Sequence, residues 1–103
     1  MLRISKILSQ KVVKALAKAY PEVARAADLN KTALDAQLVP ASKPEFGDFQ
    51  INGALQLAKL LKQSPQKIAF AIIEQLKTDE EFSILCQPPE IAGPGFINIT
   101  LSN

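Results

Sequence analysis

The stretch from Pro89 to Leu101 constrains this chain more than any other. It reads Pro-Glu-Ile-Ala, then Gly93-Pro94-Gly95, then Phe-Ile-Asn-Ile-Thr-Leu. Two short runs of strand-forming residues around a glycine–proline–glycine turn predict a β-hairpin or a tight strand–turn–strand. Gly93 and Gly95 permit backbone angles that other residues resist. Side chains alternate across a strand, so Ile97, Ile99 and Leu101 share one face and Phe96, Asn98 and Thr100 share the other. The isoleucine face belongs to the core, and something else in the chain must cover it.

The covering elements are helices. Ile4, Leu8, Val12, Leu16 and Ala19 recur every three or four positions and predict a helix over 2–20 with one apolar side. Arg3, Lys6, Gln10, Lys14 and Lys18 fall on the opposite side. Pro21 breaks that helix through its effect on Tyr20 and can open a short second one to Ala27. Residues 28–35 read as a polar connection. Ala36 to Val39 is a short strand candidate stopped by Pro40, and residues 40–48 are a loop. Asp48 is placed to cap a helix over 49–62, with Ile51, Ala54, Leu55, Ala58 and Leu61 as its stripe. Gly53 inside that helix costs up to about 1 kcal/mol relative to Ala. Ser64-Pro65 starts a further helix, with Ile68, Ala69, Ile72, Ile73 and Leu76 buried. Thr78 to Glu81 has capping-box spacing and predicts one more helical turn. The expected fold is α+β: a single domain over 1–103, with a small antiparallel sheet and about four helices packed mainly on one face.

Composition narrows the chemistry. With 103 residues, 48% hydrophobic and 21% charged, the chain suits one globular core. It has no histidine, so an imidazole base, a Ser-His-Asp triad and a His-bearing zinc site are excluded. A single cysteine, Cys86, excludes an internal disulfide and reads as a small buried apolar residue. No apolar run approaches the roughly 20 residues of a membrane span. Net charge is only +2, but residues 1–35 carry seven Lys/Arg against three Asp/Glu, and the remainder five against seven. The amphipathic, acid-free first segment has the look of a transit peptide, but it is Lys-rich and its apolar face suits docking on the rest of the chain. Its basic face is either a solvated helix surface or a surface that steers polyanions.

Phe96 and Asn98 set an aromatic ring beside an amide on the face away from the core. An unpaired base is recognised by a ring against its flat face and hydrogen bonds along its edge. If a helix covers that face too, Phe96 is ordinary core. The loop around Gly47-Asp48 is either a recognition loop or a helix entry with Phe46 as a staple. The consecutive acids Asp79, Glu80 and Glu81 suit a helix start rather than catalysis. Gly93-Pro94-Gly95 lacks the phosphate-loop pattern. No catalytic or metal-ligating set is evident.

Two motifs, KPEFGDFQIN at 43–52 and EIAGPGFINITL at 90–101, resemble the N-terminal additional domain of class I arginyl-tRNA synthetases, in order and at about the family's distance. The resemblance covers essentially the whole chain and is weakest over 21–40. It implies an α+β domain that precedes a catalytic domain and contacts the D-loop at the outer corner of arginine tRNA. Phe96 and Asn98 match the family's hairpin positions that touch a D-loop nucleotide. Gln50 and Asn52 are candidate polar RNA contacts, and Lys43 a phosphate contact. Gly47, Asp48, Gly93 and Gly95 are read as architecture. The expected partners are arginine tRNA and the rest of the synthetase in the cytoplasm, with neither membrane nor DNA. Lacking every histidine of the class I signature, the chain is expected to be a non-catalytic fragment without a cofactor of its own; ATP and magnesium belong to the full enzyme. The alternative is a structural module bracing the catalytic domain, with Phe70 as an apolar contact.

Overall fold

The computed structural model describes residues 2–23, 25, 38–41 and 47–102. In chain order the elements are α1 (Leu2–Ala19), β1 (Leu38–Pro40), β2 (Phe49–Ile51), α2 (Gly53–Leu61), α3 (Pro65–Leu76), α4 (Glu80–Leu85), β3 (Glu90–Ala92) and β4 (Phe96–Ile99). After α1 the chain is helical again at Pro21–Val23 and at Arg25. The polar connection expected over 28–35 lies outside the described residues.

The hairpin is present. β3 and β4 pair antiparallel, with Ile91 opposite Ile97. They form one side of a four-stranded antiparallel sheet in the order β1-β2-β4-β3. Ile97 and Ile99 are fully enclosed, as are Leu8, Val12, Ile68 and Ile72 from the helices. α3 is the central helix. Every residue of its expected apolar face is buried, and it packs against α1, α2, β3 and β4. Ser64 caps it by accepting the Lys67 N–H at 3.2 Å, with Pro65 at the first helical position. α1 lies across α3 on Leu8, Val12, Ala15 and Leu16, with Ile4 and Ala19 at the margins.

Three local expectations are corrected. Residues 49–51 are a strand, not a helix start, and α2 begins at Gly53 behind Asn52. The run Phe49-Gln50-Ile51 satisfies both helical and alternating patterns. What decides is its position between β1 and β4, where both backbone edges find partners. Gly53 therefore occupies the first helical position and carries no helix-interior penalty. Asp48 does not cap that helix; its carboxylate instead accepts the Leu101 N–H at 2.8 Å. Second, β1 stops at Pro40 as expected but includes it, paired opposite Phe49, while Ala36 and Gln37 lie outside the described residues. An edge strand tolerates a residue without an N–H. Third, the cap of α4 is Asp79 rather than Thr78. Asp79 accepts the Phe82 N–H at 3.0 Å, while the Thr78 hydroxyl donates back to Gln75 O. No described helix is long and apolar enough to cross a membrane.

Candidate nucleic-acid interface

Helices cover one face of the sheet, and the alternation of β4 assigns the other. Phe96, Asn98 and Thr100 are half-buried there, between and beside the enclosed Ile97 and Ile99. β2 obeys the same rule: Phe49 and Ile51 are buried and Gln50 is half-buried. The register sets Gln50 directly opposite Asn98, and the Gln50 Nε2–H donates to Asn98 Oδ1 at 3.2 Å. Val39 of β1 lies opposite Gln50, and Glu90 of β3 lies opposite Asn98. One row thus crosses all four strands as Val39, Gln50, Asn98, Glu90. Both of its outer members are exposed. Phe96 sits at the turn end of the row, where its ring lies against Gly93; a Cβ on that glycine would stand 3.5 Å from the ring.

Asn52 follows Ile51, just as Phe96 precedes Ile97, at the same end of the β2–β4 ladder. Its Oδ1 is enclosed and takes no hydrogen bond from the described residues. Asn52 stands at the cap position of α2 without a side-chain cap bond.

The two glycine-bearing motifs hold this face in shape. Gly47 has φ +93°, and a side chain there would run into Thr100 Oγ1 and the Ile99 carbonyl oxygen within 2.7 Å. The backbone beside it can therefore approach β4, where the Asp48 N–H donates to Ile99 O at 2.8 Å. Asp48 O accepts from Ala41 N at 3.1 Å, so Asp48 ties together the end of β1, the end of β4 and Leu101. At the other end, Gly95 has φ +140° and a Cβ there would clash with Pro65. The turn is seated on the start of α3, where Gln66 Nε2 donates to Gly93 O at 3.3 Å.

The basic face of α1 lies elsewhere. Lys6, Lys14 and Lys18 are exposed, but Lys11 is committed to acids across the α1–α4 contact. Its Nζ stands 3.0 Å from Asp79 Oδ2 and 2.9 Å from Glu81 Oε1. The hydrogen bond to Glu81 chiefly raises the Lys11 pKa. The Phe82 N–H, then Lys11, lowers that of Asp79. The acidic run at 79–81 is thus a helix cap and ion-pair anchor. Cys86 is buried, and desolvation, with Asp48 adding to it, pushes its thiol up to about 11. It stays protonated at neutral pH and is a poor nucleophile. Among the described residues no three His, Cys, Asp or Glu side chains gather as a metal site. Lys43 and Phe46 lie outside the described residues.

Sequence reasoning placed Phe96 and Asn98 on one face but missed that Gln50 joins them across strands. The alternation in Phe49-Gln50-Ile51 carried that signal. The contributions of Val39 and Glu90 to the row follow only from the register.

A helix-backed antiparallel sheet with an aromatic ring and paired amides on the face its helices leave uncovered defines an α+β module. The chain belongs to the family described as the arginyl tRNA synthetase N terminal domain, whose profile matches residues 6–101. It is 55% identical over its full length to an arginine–tRNA ligase of Prochlorococcus marinus, covering 17% of that protein. It is 57% identical over 101 residues to that of Synechococcus sp. (strain WH7803), covering 98% of this chain and 17% of the relative. The chain therefore spans about a sixth of the length of these curated relatives. In fold it resembles part of the arginyl-tRNA synthetase of Plasmodium falciparum, with TM-score 0.72 and 24% identity over 96% of this chain and 16% of that one. It also resembles part of the Thermus thermophilus enzyme, with TM-score 0.59 and 22% identity over 92% of this chain and 14% of that one.

Proposed function

We infer that this chain is a tRNA-binding module of an arginine–tRNA ligase, acting in the cytoplasm on the D-loop at the outer corner of arginine tRNA. The observation that carries this reading is the open sheet face of a chain in that family, where Phe96, Asn98 and Gln50 stand together on paired strands. The Phe96 ring stacks on a base, and the Asn98 amide meets the base edge, because an amide both donates and accepts. Glu90 at the end of the row disfavours a phosphate there, so the row reads a base while the sugar–phosphate chain runs past it. Lys43 is assigned a phosphate contact, and Asn52 a supporting polar one. Arginine activation with ATP belongs to the remainder of the longer enzyme, and this chain alone is assigned no catalytic role. A net charge of +2 supplies few phosphate contacts, so affinity is low until tethering to the rest of the synthetase raises the effective concentration. RNA, not DNA or membrane, is the assigned partner.

The test is a fluorescence-anisotropy titration with arginine tRNA at low and physiological salt, against a tRNA altered in the D-loop. Binding should weaken with the D-loop change. Phe96→Ala should lower affinity about five- to hundredfold, the range of base–aromatic stacking. Unchanged affinity with an intact fold would remove the stacking role. Equal binding to both tRNAs that collapses with salt would reduce the interaction to diffuse attraction.

A second reading has its own observation. Phe70 is 57% exposed and Leu60 76% exposed on the helical side, away from the open face. Those side chains suit a bracing contact with the catalytic part of the enzyme. No tRNA binding at either salt, with retained binding to the rest of the synthetase, would favour it.

A further inference from the structure

We propose that Gln50 is a positioning residue that orients Asn98, so that the Asn98 amide nitrogen, rather than its oxygen, is offered to the base. This rests on the reading of the open face as a nucleotide site.

A side-chain amide has two orientations, differing by a half-turn that exchanges oxygen and nitrogen. Which one a base meets decides whether the site seeks an acceptor or a donor. In this structure Asn98 Oδ1 accepts from Gln50 Nε2, so one acceptor position is occupied along the sheet row. The neighbours on either side favour that sense. Beyond Asn98 stands Glu90, a carboxylate that accepts and cannot donate, so the Asn98 nitrogen is favoured toward it. Beyond Gln50 stands Val39, whose side chain offers Gln50 no competing partner. The polarity of the row therefore runs one way, from the Gln50 nitrogen to the Asn98 oxygen, with the Asn98 nitrogen left over. The amide nitrogen carries two N–H groups, so with one turned toward the Glu90 side the other remains a donor on the face that carries Phe96. All four bases carry acceptors at different edge positions, so it favours the base whose ring nitrogen or carbonyl oxygen falls opposite that N–H when stacked, and disfavours one that places a donor there. Gln50 thus acts on the base through Asn98, which differs from a direct contact of its own.

The distinguishing experiment uses arginine tRNA transcripts carrying each of the four bases at single D-loop positions, titrated against wild type and Gln50 and Asn98 variants. Wild type should show a base preference at one position, and Asn98→Ala should abolish it. Gln50→Met keeps the length of the side chain but donates nothing. It should weaken the preferred transcript about three- to tenfold, the worth of one hydrogen bond, and leave the others nearly unchanged. Gln50→Glu is sharper. Its carboxylate only accepts, so it should draw the Asn98 nitrogen inward and turn the oxygen outward. The order of base preference should then change, a result that lost packing alone does not give. Circular dichroism melts establish that each variant folds, and either Gln50 variant suffices if the other does not. If folded Gln50 variants keep the wild-type order while Asn98→Ala loses it, the positioning role is wrong and the nucleotide site stands. If wild type shows no base preference or no binding, the nucleotide reading itself fails, and the positioning role with it.

Discussion

Successive residues of β4 serve opposite faces of the sheet. Ile97 and Ile99 are fully enclosed beneath the helices, while Phe96, Asn98 and Thr100 between and beside them keep partial exposure. On the first face burial is collective: side chains from α1, α2, α3, α4 and the sheet share one cluster. On the second, the arrangement is local: one ring and one hydrogen-bonded amide pair, the surface proposed above for a nucleotide. A strand with period-two alternation can hold stability and recognition in adjacent residues because neither face competes for the other's side chains.

The largest break of this contrast should come from exchanging neighbours. Ile97→Ala should cost roughly 2–5 kcal/mol, as for other buried large-to-small changes. Asn98→Ala next to it should cost less than about 1 kcal/mol, since it loses one half-exposed hydrogen bond. Chemical denaturation of both variants measures the difference. Equal losses would mean that the open face is core after all.

Gly95→Ala probes the seam between the two faces. Both the positive φ and the contact with Pro65 oppose a side chain, so a loss of about 1–3 kcal/mol is expected. Because the turn positions Phe96, tRNA affinity should fall with it. Retained stability with full binding would show that the turn can shift without consequence.

The smallest effect on binding belongs to the α1–α4 anchor, on the helical side of the sheet. Asp79→Ala removes a helix cap and should cost about 1 kcal/mol. The folded pKa of Asp79 lies below its ordinary value of 3.8. Its contribution is therefore complete above that value and fades as pH falls through it toward the folded pKa. Thermal melts between neutral pH and about pH 2 should show the gap between wild type and Asp79→Ala closing in that window. Binding to tRNA at neutral pH should be unchanged, which separates the anchor from the interface.

Much of this was legible in the residues. The apolar stripes of α1 and α3 and the hairpin turn follow from periodicity and turn chemistry, which are local. So does the split of Phe96 and Asn98 from Ile97 and Ile99. The short segments were not legible to the same degree. Phe49-Gln50-Ile51 fits either a helix or a strand over three residues, and only the edges offered by β1 and β4 choose the strand. Asp48 has the chemistry of an N-cap and uses it, but on Leu101 N–H, which the fold brings to it. Lys11 shares a helix with exposed lysines and becomes an anchor because Asp79 and Glu81, at the start of α4, are presented to it.

The sequence by itself determined the elements with enough length to show a period, the turn that demands glycine, and which side of β4 is apolar. Tertiary structure alone decided which strands beyond the hairpin became neighbours, and with that the meeting of Gln50 with Asn98 across β2 and β4. The physical reason is that periodicity is set by backbone geometry within one segment. Cross-strand partnership depends on register between segments distant in sequence, and a shift of one residue would have turned Gln50 inward.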